Sequence, residues 1–244
     1  MNSIFRLTAI VAATAALLGI GSTANAQIEG EAQAVFDRYT EALGGFDAYA
    51  QVKTAKWGMS MEIPAAGFKM EGLIAFKRPN KLLIDGSISG LGRMRKGFNG
   101  DVGWSMDAIQ GVREMSGVEL EKFVEESDME RELKLAERYA SAKVATASPD
   151  GEIVVECVTK IGGHPERLLF DAESGLLRKR DYIEEMGEQG SVPVSAEIVT
   201  YEKIGGFLMQ SRINASLMGM DSIALITSFE PNPPVEDSLF EMPE

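Results

Sequence analysis

The sequence predicts a mainly β (α+β) fold. It is a single curved antiparallel sheet, or unclosed β-barrel, of about ten or eleven strands, with an N-terminal helix and central helices over its mouth or concave face. Three observations predict it. Apolar residues recur at every second position through most of the chain, the period of strands with one covered and one wet face. Short turn signals join these runs in hairpin order. Strand–helix–strand alternation, the mark of a parallel sheet, does not appear.

Residues 31–43 (EAQAVFDRYTEAL) place Ala32, Val35, Phe36, Tyr39 and Leu43 at helical spacing, and Gly44-Gly45 stops the helix. A short second helix runs from Phe46 to Val52. In the stretch Ala55 to Met106, Ala55, Trp57, Met59 and Met61 alternate with polar or small residues. Phe68, Met70, Gly72, Ile74 and Phe76 then share one face, with Lys69, Glu71 and Lys77 on the other. Pro64 to Gly67 and Arg78 to Lys81 are turns, and Pro79 cannot occupy a central strand. Leu82, Ile84, Gly86 and Ile88 alternate, and Met94 to Phe98 form a further short strand. Asn99-Gly100-Asp101 suits a hairpin turn with positive φ, after which Val102, Trp104 and Met106 share a face.

Residues 107–116 read as irregular. From Gly117 to about Tyr139 the pattern is helical and rich in acid, which suits the helix dipole in each first turn. A break at Glu126-Ser127-Asp128 predicts two helices. Strands resume at Lys143–Ala147, Glu152–Lys160, Glu166–Asp171, Leu176–Glu184, Val192–Lys203, Phe207–Leu217 and Asp221–Glu230. Asn232-Pro233-Pro234 ends the sheet, and Asp237-Ser238-Leu239-Phe240 closes the chain as a single helical turn.

Residues 1–26 carry Arg6, an apolar run from Leu7 to Ile20, and Ala24-Asn25-Ala26 before Gln27. This is the pattern of a cleaved secretory signal, and the run is too short for a membrane anchor. Residues 27–244 then form one domain, with no linker rich in Ser, Pro or Gly. Loss of Arg6 takes the net charge from −13 to −14. Such acidity argues against nucleic acid and against anionic lipid surfaces. The single cysteine, Cys157, excludes an internal disulfide and sits in an apolar strand pattern, so it reads as a core thiol.

Sites of chemistry are sparse. His164, the one histidine, falls in a turn. One His and one Cys do not make a zinc site. A G-x-S-x-G elbow, a P-loop and an alternating Asp/Asn calcium series are all missing. Paired carboxylates such as Glu125-Glu126 and Glu184-Glu185 read as solvated faces. The chain therefore reads as no enzyme, with no cofactor and no metal. What stands out is hydrophobic: thirteen methionines, which make adaptable apolar surfaces.

In this order of strands the chain resembles the periplasmic lipoprotein-carrier superfamily, the LolA/LolB-like outer-membrane lipoprotein-sorting proteins. The residues that carry the resemblance are Ala42-Leu43-Gly44-Gly45-Phe46 with Val52-Lys53-Thr54, Lys77-Arg78-Pro79-Asn80-Lys81, and Gly97 to Trp104. Leu169 to Leu177 and Asp237 to Phe240 match as well. The resemblance implies an unclosed barrel with a helical lid, at Gly117 to Tyr139, over an apolar cavity for acyl chains. The inner wall would then be Trp57, Met59, Met61, Phe68, Met70, Ile74, Phe76 and Trp104. The implied function is a periplasmic carrier or chaperone that binds lipoprotein acyl chains or other lipids for transport towards the outer membrane. Its partners would be lipid and an envelope protein for handover, with no nucleic acid and no stable membrane span. The alternative is a cell-envelope adaptor whose half-barrel is filled and whose partner is a protein.

Overall fold

The computed structural model describes residues 27–145, 151–185, 190–217 and 219–243. The predicted signal segment, residues 146–147 of the strand predicted at Lys143–Ala147, and most of the loop before Val192 lie outside them. Helices α1 (Gly30–Ala42) and α2 (Gly45–Ala50) precede β1 (Thr54–Ile63), β2 (Phe68–Lys77), β3 (Lys81–Ile88), β4 (Gly92–Phe98), β5 (Gly103–Asp107) and β6 (Gly111–Glu114). Helix α3 (Gly117–Glu126) and a 3-10 turn (Leu135–Arg138) lead into β7 (Tyr139–Val144), β8 (Glu152–Thr159), β9 (Pro165–Asp171) and β10 (Leu177–Glu185). Then come β11 (Ser191–Ile204), β12 (Phe207–Leu217), β13 (Met220–Pro231) and a closing 3-10 turn (Asp237–Phe240).

All thirteen strands join one antiparallel sheet in the order β6-β5-β4-β3-β2-β1-β13-β12-β11-β10-β9-β8-β7. Every neighbouring pair is a hairpin except β1 with β13, which ties the two halves together. A bulge at Gly58/Met59 in that seam, and others in β11, bend the sheet. The edges β6 and β7 do not pair, so the barrel stays open, and residues 115–138 cross the concave side between them. Edge β7 is blunted by the segment before α1: the Glu29 amide donates to the Ala142 carbonyl at 2.9 Å.

Two apolar clusters fill the concave side. Under α1, Phe36, Tyr39 and Leu43 meet Leu133, Leu135, Val155, Leu168, Phe170 and Ile198. Under α2 and α3, Val52, Met115, Phe123 and Met129 meet Phe76, Leu82, Phe98 and Phe229. A third cluster lies on the convex side, where Trp104, Ala75 and Leu83 are covered by Val235 and Phe240. The C-terminal segment is held there as a strap. Trp104 Nε1–H donates to the Phe240 carbonyl at 2.8 Å, Lys77 Nζ to the Val235 carbonyl at 3.0 Å, and Lys81 Nζ to Asp237 at 2.8 Å. Gly97 is required beneath the indole, where a Cβ would collide with the ring.

Three expectations are corrected. The sheet has thirteen strands, not ten or eleven. One addition, β6, lies in the stretch read as irregular, since four edge residues are too few to show a period. The second central helix is absent. Residues 128–138 form tight turns, because Leu133 and Leu135 are both buried and would point to opposite sides of an α-helix. Tyr139 starts β7. Trp104 lies on the convex face, as register shows: Trp104 opposes Gly97, Gly97 opposes Leu83, and Leu83 opposes Ala75, one position off the Trp57–Ile74–Ile84 row.

Phe240 is fully buried at the end of an exposed strap. Phe240→Ala is expected to cost about 3–5 kcal/mol of folding stability, read from the urea midpoint, whereas a loss below about 1 kcal/mol would mean that the strap is not part of the core.

Candidate functional site: the concave face

Register carries one face across the sheet. Trp57 opposes Ile74, and Ile74 opposes Ile84. Met59 opposes Gly72, which opposes Gly86, which opposes Met94. Met61 opposes Met70 on one side and Ala224 on the other; Ala224 opposes Ile213, and Ile213 opposes Ile198. Gly86 makes room for sulfur, since a Cβ there would sit 3.1 Å from Met70 Sδ, while a Cβ at Gly72 would collide with the β3 backbone at Asp85 and Gly86.

The structure brings seven of the eight predicted residues to this face and leaves Trp104 on the other. Those seven divide. Phe76 and Ile74 belong to the filled lower cluster. Trp57 stands at its margin, its ring 4.6 Å from Phe76 and 5.8 Å from Phe229, and its indole N–H is buried without an acceptor among the described residues. Met59, Met61 and Phe68, together with Met94 and Ile226, are half-buried and join neither cluster. Met70 is buried beside them. Half of the face is core, and half is an open apolar trough.

A polar group at the far side of the trough escaped the sequence reading. Arg180 Nε lies 3.1 Å from Glu166 Oε1, and its Nη2 lies 3.6 Å from Glu132 Oε2. Tyr139 OH donates to Glu166 Oε1 at 2.9 Å, Tyr39 OH to Glu132 Oε2 at 3.3 Å, and Gln210 Nε2 to Tyr39 OH at 2.9 Å. Arg138 Nε reaches Glu125 Oε1 at 2.5 Å. Burial opposes the charge on Arg180, but Glu132 and Glu166 outweigh it and hold its pKa above the ordinary value. Burial likewise works against the Glu132 carboxylate, and Arg180 with Arg131 and Arg138 still holds its pKa below the usual range. The acids read as solvated faces are thus paired: Glu125 with Arg138, Glu184 with Lys122 at 3.7 Å, and Glu185 with His164 at 2.6 Å. No spacing rule joins a crossover glutamate to an arginine some fifty residues on.

A concavity of about 1200 Å³ lies on the opposite face of β7–β12, lined by the apolar Val158, Pro165, Ile183 and Pro193 and by Lys143, Arg167, Asp181 and Ser195 among others. Lys143 there pairs with Glu156, and Asp181 with Lys179 and Ser195. Among the described residues no group of three His, Cys, Asp or Glu side chains could hold a metal ion, and no helix is long and apolar enough to cross a membrane.

Fold and face together define an open-sheet protein with an apolar concave trough. No family model matches the chain, and no curated protein matches it. One solved structure shares the fold. The crystal structure of a DUF1329 family protein from Desulfovibrio piger superposes with a TM-score of 0.59 at 13% identity, over 86% of this chain and 96% of that one. The crystal structure of MucB aligns with a TM-score of 0.31 at 12% identity, over 87% of this chain and 64% of MucB.

Cys157 is free and buried against this polar group. Burial pushes its thiol from 9.0 up to about 12, and Glu166 adds to the rise. Tyr39 and Tyr139 are raised in the same direction by burial. The unfolded thiol ionises first, so the folded chain holds the extra proton between those values, and stability falls as pH rises through that window. The urea midpoint is expected to drop between about pH 8 and about pH 10.5, and Cys157 to resist alkylation at about pH 8 until urea is added. A midpoint flat across that range would contradict the assignment.

Proposed function

We propose that this chain is an exported, non-enzymatic carrier that holds the acyl chains of lipoproteins or other lipids on the concave face of its sheet, in the periplasm and towards the outer membrane. The observation that carries the reading is the open half of that face. Met59, Met61, Phe68 and Met94 are apolar, adaptable and half-buried, next to a fully packed half of the same sheet. Acyl burial gains about 0.8 kcal/mol per CH₂, so a few buried methylenes suffice for reversible holding. The open curved sheet supports the resemblance to the lipoprotein-carrier superfamily. The positions of His164, in a turn with Nε2 2.6 Å from Glu185 Oε1, and Cys157, buried and protonated, also fit a protein without a nucleophile.

A second reading, an envelope adaptor with a filled half-barrel, draws on the two clusters that close the rest of the concave side. In that case the trough receives an apolar segment of a protein partner.

Organic extracts of the protein purified from its native compartment are expected to contain lipid by mass spectrometry. Met61→Glu puts a charge in the trough without touching either cluster. It should abolish displacement of a fluorescent fatty acyl probe while shifting the urea midpoint little. Lipid-free extracts together with no probe binding, and one stoichiometric protein partner in a pull-down, would favour the adaptor instead.

A further inference from the structure

The face of β7–β10 turned away from the trough carries two rows of side chains fixed by register. In one, Lys143 opposes Glu156, Glu156 opposes Arg167, and Arg167 opposes Asp181. In the other, nearer the β8–β9 turn, Ser141 opposes Val158 and Val158 opposes Pro165; Ile183, two residues beyond Asp181, continues it on β10. Charge therefore alternates in sign along one row, and the row beside it is uncharged. Both rows line the concavity of about 1200 Å³. Contacts on this face are unfinished. Val158 is 37% exposed. Lys143 pairs with Glu156 and Asp181 with Lys179, but the exposed Arg167 has no ion-pair partner among the described residues.

The sign pattern suits no simple charged ligand, since an anion meets Glu156 and Asp181 and a cation meets Lys143 and Arg167. It does suit a second copy of itself. A half-turn about an axis parallel to the strands, between β8 and β9, reverses the order of the strands and keeps each position along them. Lys143 then faces Asp181 of the second copy, and Glu156 faces its Arg167, in both directions. Val158 faces Pro165 of the second copy, and Ser141 faces its Ile183. A half-turn about the row itself would set each charge against its own image, so the pattern selects one axis. Sheet twist agrees. A twisted sheet is hollow along one diagonal and ridged along the other, and the selected rotation lays the ridge of one copy in the hollow of the other. The charged row is neutral in a chain with 37 acidic and 24 basic residues, so repulsion is least where the copies touch. Strands β7–β12 present about 29 Å by about 20 Å, on the order of 600 Å² per copy. That is at the low end of specific interfaces and suits a weak dimer.

We propose that this outer face is the interface of a homodimer whose two-fold axis runs parallel to the strands between β8 and β9. The two troughs then lie on the outside of the dimer and open away from each other, so the interface is independent of what they hold.

Sedimentation of the mature chain is expected to show a dimer that dissociates on dilution through the micromolar range. Arg167→Glu sets two carboxylates against each other on both sides of the axis, and Glu156→Arg sets two cations against each other. Each should raise the dissociation constant at least about tenfold. Mixed one to one, these two variants should regain the wild-type mass, because each chain then supplies the sign that the other lacks. Val158→Asp should weaken the dimer as well. All three positions are exposed, so the urea midpoint of each variant should move little. A wild-type chain that stays monomeric up to about 500 µM overturns the proposal and leaves the face to another occupant. A dimer that none of the variants weakens uses a different face and overturns it too. Failure of the two folded charge variants to associate with each other rejects the axis and the proposal with it.

Discussion

A sheet of thirteen strands at ~4.8 Å spacing is about 60 Å wide along its curve. Among the described residues the α-helices available to cover it have 13, 6 and 10 residues, which at 1.5 Å per residue come to about 20, 9 and 15 Å. Cover is therefore scarcer than apolar surface, and the rest of the structure follows from where it is spent. On the concave side it goes to the lower half of β1–β4 and to β7–β11. On the convex side a strap of about ten residues ending in Phe240 does what a helix would otherwise do. What is left over is the upper half of β1, β2, β4 and β13, where Met59, Met61 and Met94 stand with Phe68 and Ile226.

The crossover that supplies much of the cover is short of apolar residues, so ion pairs help to seat it. Arg78 holds Glu130 at 2.5 Å while also donating to the carbonyls of Val52 and Tyr49. Arg113 grips Glu119 with two nitrogens at 2.7 and 2.8 Å. Arg138–Glu125 and Arg180–Glu132 continue the series on the other half of the sheet. Exposed pairs of this kind contribute little, whereas half-buried ones set register because the wrong partner is costly. The segment is therefore placed by electrostatics over both clusters and bridges the two edges that the sheet leaves open.

Strand positions were legible because period two survives wherever one face is wet. Phe207–Leu217 has the bounds its alternation predicts, and the hairpin at Asn99-Gly100 turns where its chemistry requires. Sidedness was less legible. β5 is buried on both faces at Gly103, Trp104 and Ser105, so alternation there does not say which side is concave. The answer depends on the strap, whose Asp237–Phe240 motif gives no sign of what it covers. The crossover misled for a related reason. Its apolar residues match a helical template, but Leu133 and Leu135 serve one core from two turns. The Arg180 cluster had no sequence signal at all, since its members lie on α1, the crossover, β7, β9, β10 and β12.

The division of one face into a packed half and an open half also separates two jobs that conflict in a single cavity. A core holds by close packing and tolerates little change of volume. A trough that takes and releases an acyl chain has to accommodate different shapes at small cost. Here the packed clusters can supply stability without the trough, because Met59, Met61 and Phe68 contribute to neither.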